Sequence, residues 1–413
     1  MTLLILPQYA YPWNHAVVNT VYETLLPARG HVVHMIRPMA GIADVTRVEA
    51  PWGGTVVGYP DEPLGGRLAN IARSARQARW IRAALATFAS ESLDAILVRN
   101  DLVAAAAADA EARRRGIPHV YQLSSPDAEF TISRGRETAG LAGAYMRARG
   151  AFGLSMRRRM TRRASAVLAI SNAMRRHLIE VDGLAEERVF SFPMGVLEQP
   201  PPDVSAIETL RQDLGLPAGR TMVYSGVLDP VRKPDWMLDV FDRVRGRVPD
   251  AAFLVITYQQ DDRRRAFEAE AARRGANVRV VGPVPFHEVS RYVRCAAVAF
   301  SPYPPMFEHH VVSPTKSIEA LAAGVAVVGT SEVDEHRELL TERGGLAVPF
   351  DVQACADAIV SLMEDPQRRQ ALATAGQMWV VSHRSYAHLT GYLEQILAAA
   401  PSASRLGTLP HEP

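Results

Sequence analysis

The chain has 413 residues, 48% of them apolar and 22% charged, a balance that excludes a disordered polymer and leaves room for two to three domains. Forty-six Lys and Arg against forty-four Asp and Glu leave a formal charge of +2, which excludes a polyanion binder acting through net charge. Two cysteines, Cys295 and Cys355, exclude a disulfide scaffold and a cysteine zinc cluster, and they fit a reducing, cytoplasmic setting.

The apolar run at residues 3–6 is too short for a signal peptide and reads as a buried strand. A turn rich in Pro, Tyr and Asn follows, then a helix over 16–26 ended by Gly30, then a strand over 31–36. That is a βαβ unit, which implies parallel pairing. A helix over 69–90 places Arg73, Arg76, Arg79 and Arg82 on one face. Strands over 95–98, 120–123, 166–170 and 189–192 continue the alternation, with an Ala-rich helix over 102–115. The Pro200-Pro201-Pro202 run cannot sit in a helix or a central strand and reads as a linker. The alternation then restarts, with strands over 221–225, 252–257, 278–281, 297–301 and 325–330. No window of about 18 residues stays apolar, so no membrane span is expected.

These elements predict an α/β protein of two doubly wound, Rossmann-like parallel-sheet domains. The expected division is residues 1–198, a linker over 199–205, a second domain over 206–382, a helix over 383–400 that crosses back to the first domain, and a mobile tail over 401–413. Ligands are expected at the carboxyl ends of strands and in a central cleft.

The segment with most chemistry runs from Ser313 to Gly329. Ser313 reads as an N-cap, Pro314 as the first helical residue, and Gly324 as the residue past the end. With Thr315, the start of this helix offers amides to an anion. Lys316 adds a full charge, and Glu319 lies on the same face three residues on. A cation and a carboxylate beside free amides suit a diphosphate joined to a ribose; the plain alternative is a surface helix with a Lys–Glu pair. A second segment has Gly226 at a strand end, then Arg232 and Lys233 before a helix. Glycine admits a ligand close to the backbone, arginine grips phosphate with two bonds, and lysine adds a point charge. Solvated loop cations are the alternative for that segment alone.

Together the two segments resemble the retaining glycosyltransferases of family 4, which have the GT-B architecture, in the Ser-Pro-x-Lys form. The resemblance implies that Gly226, Arg232 and Lys233 hold a donor diphosphate and that Glu319 holds the ribose. Residues 280–284, with Pro283 and Val284, resemble the stretch whose backbone meets the nucleotide base. Residues 164–171 and 192–196 resemble the end of the first domain. Val311 stands eight positions before Glu319, where many members carry an acid that contacts the sugar; Glu308 is out of register. The first-strand loop carries Tyr11-Pro12-Trp13-Asn14-His15 where the family has a Gly-Gly loop.

On the acceptor side the candidates are Asn14, His15, Ser124, Ser125 and Asp127, with a structural loop histidine as the alternative for His15. His309-His310, Asp109/Glu111 and Asp127/Glu129 make poor metal sets, so no metal and no cofactor is expected; the co-substrate is a UDP- or GDP-linked sugar. Residues 138–179 hold nine arginines and no acid, interleaved with apolar side chains. Such a segment, centred on residues 147–163, can lie on an anionic membrane, which would make the enzyme peripheral at the inner face; a solvated helix face is the alternative. No nucleic-acid recognition module is visible. The expected activity is transfer of a sugar from a nucleotide sugar to a glycan, lipid-linked or small-molecule acceptor. A catalytically silent partner subunit and a sugar-nucleotide epimerase are the alternatives.

Overall fold

The structure, a computed structural model, describes residues 1–12, 15–61, 67–341 and 343–401. Its strands fall into two sheets. The first contains β1 (Thr2–Pro7), β2 (Val32–Met39), β3 (Thr46–Glu49), β4 (Thr55–Pro60), β5 (Ala95–Arg99), β6 (His119–Leu123), β7 (Ala166–Ala169) and β8 (Val189–Ser191), in the order β3-β4-β2-β1-β5-β6-β7-β8. All pairs are parallel except β3 with β4. Strands β5 and β6 are buried along their whole length, as strands covered on both faces should be. Strand β3 is exposed at all four residues and carries Arg47 and Glu49, charges that blunt a sheet edge. The sequence reading missed the β3–β4 hairpin, because Pro51, Gly53 and Gly54 interrupt the alternation there.

The second sheet contains β9 (Thr221–Ser225), β10 (Ala252–Ile256), β11 (Val278–Val281), β12 (Val298–Ser301), β13 (Ala326–Thr330) and β14 (Gly345–Val348). Its order is β11-β10-β9-β12-β13-β14, parallel throughout. One face packs on Met237, Leu238, Phe241 and Val244 of helix Pro234–Arg247; the other packs on Ile318 and Leu321 of helix Thr315–Ala322. Each such side chain contributes roughly 1.5–3 kcal/mol by leaving water. Each sheet reverses its winding at one place, between β1 and β5 in the first and between β9 and β12 in the second. There the loops part in opposite directions and leave a crevice at the carboxyl ends.

The chain divides into one unit of Met1–Pro193 with Tyr386–Pro413 and a second of Met194–Ser385. The division falls ahead of the prolines, which lie in irregular chain at the start of the second unit. Hydrogen bonds explain the shift: the Val196 amide donates to the Arg384 carbonyl at 2.8 Å, and Arg384 Nη1 donates to the Met194 carbonyl at 3.1 Å. Helix Pro366–Arg384 ends before Ser385, and helix Tyr386–Ala399 packs with the first unit against residues 18–25. Glu394 of that helix pairs with Arg29 at 2.7 Å and with His31 at 2.8 Å.

Arg384 also pairs with Glu335, and both side chains are buried. Removing one member of a buried pair strands the other charge. Arg384→Met is therefore expected to cost about 3–5 kcal/mol of stability. The double variant Arg384→Met/Glu335→Met should recover most of that loss. Urea unfolding of the three proteins measures both values.

Candidate functional site

The β9/β12 crevice is a hollow of about 420 Å³ in the second unit. Ser225 and Gly226 form one wall where β9 ends, and Ser301, Pro302 and Tyr303 form the facing wall where β12 ends. Arg232 enters from the loop after β9, and Thr315 and Lys316 enter from the first turn of helix Thr315–Ala322. The sequence-predicted residues Gly226, Arg232, Val284, Thr315 and Lys316 thus line one hollow.

Several bonds shape the loop after β9. The Tyr224 hydroxyl donates to the Val227 carbonyl at 2.8 Å, and a Cβ on Gly226 would lie 2.7 Å from that hydroxyl. The buried Gln259 side chain accepts from the Leu228 amide. The Arg232 guanidinium sits 4.5 Å above the Tyr303 ring, which holds its charge over the hollow. Tyr303 is fixed in turn, its amide donating to Thr330 Oγ1 at 2.9 Å.

Behind the hollow lies a buried polar chain. Ser301 and Ser317 hydroxyls are 2.8 Å apart, and Ser317 Oγ lies 2.7 Å from His336 Nε2. His336 Nδ1 lies 2.9 Å from the Thr330 carbonyl, which can only accept, so Nδ1 carries the hydrogen and Nε2 accepts from Ser317. Burial holds the imidazole neutral and pulls its pKa down to about 4.

Other predicted residues lie elsewhere. Ser313 does not cap the helix. Pro314 occupies the cap position, and the Ser313 hydroxyl donates to Glu335 at 3.1 Å while accepting from the Met194 amide at 3.2 Å. The hydroxyl is drawn inward because Glu335 is a buried carboxylate in need of donors. Glu319 is half-buried, pairs with Lys316 at 3.0 Å, and stands beside the lining residues. Lys233 is exposed, next to Arg232 in the chain but not itself in the lining, with a left-handed backbone, φ 53°. Pro283 follows Gly282, whose backbone passes so close to Thr257 that a Cβ would lie 1.9 Å from its carbonyl oxygen. Val311 and Glu308 are both buried.

An aromatic rim was not foreseen from the residues: Tyr258 is 72% exposed and Phe286 52% exposed, and both line the hollow. Two exposed rings in the lining of the hollow leave apolar faces open to a ligand.

On the first unit, Ser124 follows β6 and its amide donates to Asn100 Oδ1 at 2.7 Å. The Ser125 hydroxyl donates to Asp127. His15 stacks on Tyr9 with centroids 4.6 Å apart. Burial, then the charges of Arg99 and Arg37, push its pKa down to about 3, so it is a neutral hydrogen-bonding group. Asn14 lies outside the described residues. Asp109 pairs with Arg113 and Arg163, Glu111 with Arg114 and Arg115, and Glu129 with Arg157. The arginine-rich stretch is largely helix Gly140–Arg163. Arg157 and Arg158 pair with Asp182, Arg175 pairs with Glu186, and Arg147 and Arg162 donate to carbonyls. At least six of the nine arginines, counting Arg163, are thus engaged within the fold.

Two family models match the chain: "Glycosyl transferase 4-like domain" over residues 17–195 and "Glycosyl transferases group 1" over residues 219–365. Together they span most of it. No curated protein sequence matches. Among solved structures, a sucrose-phosphate synthase from Thermosynechococcus elongatus superposes with a TM-score of 0.73 at 16% identity, covering 96% of this chain and 98% of its own. Anabaena HepE, solved with UDP and glucose, gives 0.66 at 17% identity, covering 97% and 100%. An α,α-trehalose 6-phosphate synthase from Burkholderia multivorans gives 0.67 at 16% identity, covering 97% and 99%.

His336 generates a pH prediction. An unfolded histidine takes a proton below about 6.5, whereas folded His336 resists until about 4. Its contribution is complete above pH 6.5 and is lost as pH falls towards 4. His336→Gln should flatten the fall in unfolding free energy across that window by about 1.4 kcal/mol per pH unit. Urea titrations at several pH values read the slope, whatever the variant's absolute stability.

Proposed function

Because this chain belongs to the group 1 glycosyl transferases, with a 4-like first domain and the GT-B fold, we propose that it moves a sugar from a UDP-linked donor to an acceptor hydroxyl. The observation that carries this reading is the hollow at the β9/β12 crevice, where Arg232, Lys316 and the first turn of helix Thr315–Ala322 converge. Such a convergence of fixed positive charge and amides suits a diphosphate. The Tyr258 and Phe286 rings offer a face to the base beside Val284. UDP is favoured over GDP by the likeness to HepE, solved with UDP and with UDP-glucose, and to UDP-forming trehalose-phosphate synthases.

The Lys316–Glu319 pair opens when donor binds. Lys316 turns to the diphosphate, and Glu319 accepts from the ribose hydroxyls. The anomeric C–O bond to the diphosphate breaks, its electron pair passing to the leaving phosphate through an oxocarbenium-like state. Arg232 and Lys316 meet that growing charge without a required metal, and Lys233 adds a point charge from outside the lining. The acceptor oxygen attacks on the same face and the departing phosphate takes its proton, so configuration is retained. Ser124, Ser125, Asp127 and His15 of the first unit would position the acceptor in glycan or glycolipid synthesis. Membrane attachment through residues 147–163 would rest on Arg149 and Arg159 with the exposed Leu141 and Phe152, since the other arginines of that stretch are spent on the fold.

UDP should raise the melting temperature of the wild-type protein by mass action. Arg232→Ala should lower turnover by a factor of about 10² or more, and Lys233→Ala by less. UDP release from UDP-glucose in the presence of an acceptor panel measures both. Near-normal turnover in Arg232→Ala overturns the assignment; UDP binding without turnover on any donor identifies a silent subunit.

A further inference from the structure

The first sheet has a crevice of its own, between β1 and β5. Arg99, the last residue of β5, sits opposite Pro7 of β1 in the register, at the edge of that crevice. The side chain is out of water: the residue is 3% exposed. Yet among the described residues no carboxylate lies within the 4.0 Å of an ion pair, and its Nε has no hydrogen-bond partner. What it has is the Tyr9 hydroxyl at 3.4 Å from Nη1 and the Tyr9 ring, 5.6 Å from the guanidinium carbon. Both are neutral.

The neighbouring buried arginine makes the contrast. Arg37 is satisfied on every side, by Glu23 at 2.7 Å and by the Tyr9 and Ala10 carbonyls at 3.1 and 2.9 Å. Burying an ion without a counter-charge costs several kcal/mol. A guanidinium cannot shed its proton to escape that cost. His15, the other ring stacked on Tyr9, also has a buried ring nitrogen without a partner, Nδ1. Asp127, at the start of the helix after β6, feels the charge of Arg99 but lies beyond ion-pair distance of it and accepts its hydrogen bond from Ser125. Tyr9 also forms part of the wall of an adjoining hollow of about 260 Å³, shared with Asp61, Arg73, Gln77 and Trp80. That lining offers donors and acceptors for sugar hydroxyls and a ring for a sugar face.

We propose that Arg99 is the counter-charge for an oxyanion on the acceptor, a phosphate or carboxylate group, received at the β1/β5 crevice when the Tyr9 and His15 rings turn from their stacked position. The acceptor is then an anionic, hydroxyl-rich molecule, held by a bidentate contact to Arg99 with the His15 imidazole as a neutral partner. A bidentate arginine contact is geometrically selective, so a neutral sugar of the same shape binds much less well. This rests on the reading of the first unit as the acceptor side, but its test does not need turnover.

Calorimetric titration of the full chain uses glucose, glucose 6-phosphate and glucuronate as probes. It is done with saturating UDP and repeated on an Arg232→Ala background, so that anion binding in the second unit is not mistaken for it. At least one anionic probe should bind ten-fold or more tightly than glucose. Arg99→Met should abolish that preference while leaving UDP affinity within two-fold, and Arg99→Lys, which keeps the charge but not the fork, should retain part of it. The two anions separate a phosphate from a carboxylate. Equal binding of all three probes to the wild type overturns the proposal, as does an anion preference that survives in Arg99→Met. If Arg99→Met does not fold, a weakened or lost preference in Arg99→Lys supports it and full retention overturns it. Failure of UDP to bind counts against the donor reading alone, since the anion preference is read separately.

Discussion

Winding reversal is the constraint on which the rest depends. A parallel sheet must connect its strands by right-handed crossovers, so helices go to one face until the winding turns and then to the other. In the second sheet the turn falls between β9 and β12, and it alone places the Gly226 loop and the Ser301–Tyr303 loop on either side of one hollow. The Arg232–Tyr303 contact bridges these loops, but it is the topology that leaves the gap, and the residues on its margins fill it with charge. The first sheet repeats the device between β1 and β5, where Arg99 ends β5.

The hollow is held open by groups that never touch its interior. Gln259 fixes the loop that carries Arg232, Thr330 fixes Tyr303 beneath the guanidinium, and His336 anchors Ser317 at the back of the helix that brings in Lys316. Each bond is modest in net worth, but each would be expensive to leave unmade in so dry a place. Function and stability are therefore joined: the polar chain behind the wall fixes where the cations stand in front of it.

Much of this was legible in the sequence. The apolar runs at β1, β5, β6, β9, β10 and β13 are buried on both faces, which is why they read as strands without alternation. Gly226, Arg232, Thr315 and Lys316 were legible because glycine and cations at strand-to-helix junctions have a physical meaning that survives without coordinates. Ser313 was misread because an N-cap signal is local, whereas Glu335 and Met194, which claim its hydroxyl, lie far away in the chain. The arginine-rich stretch looked like a free basic face because its acids lie on other parts of the chain, Asp109 and Glu129 on other helices and Asp182 in a turn. Tyr258, Phe286 and Arg99 gave no warning, since only packing decides whether an aromatic is exposed or an arginine is left alone.

Helix Tyr386–Ala399 completes the core of the first unit with Tyr386, Leu389, Leu393, Ile396 and Leu397, all buried. During synthesis the sheet of that unit emerges first, but its closing helix emerges after the entire second unit. The half that begins first must wait longest with a bare seam over residues 18–25, while its partner can finish as a continuous stretch. Assembly on the ribosome is thus expected to run in the reverse of chain order, with the second unit closing before the one that opened the sequence.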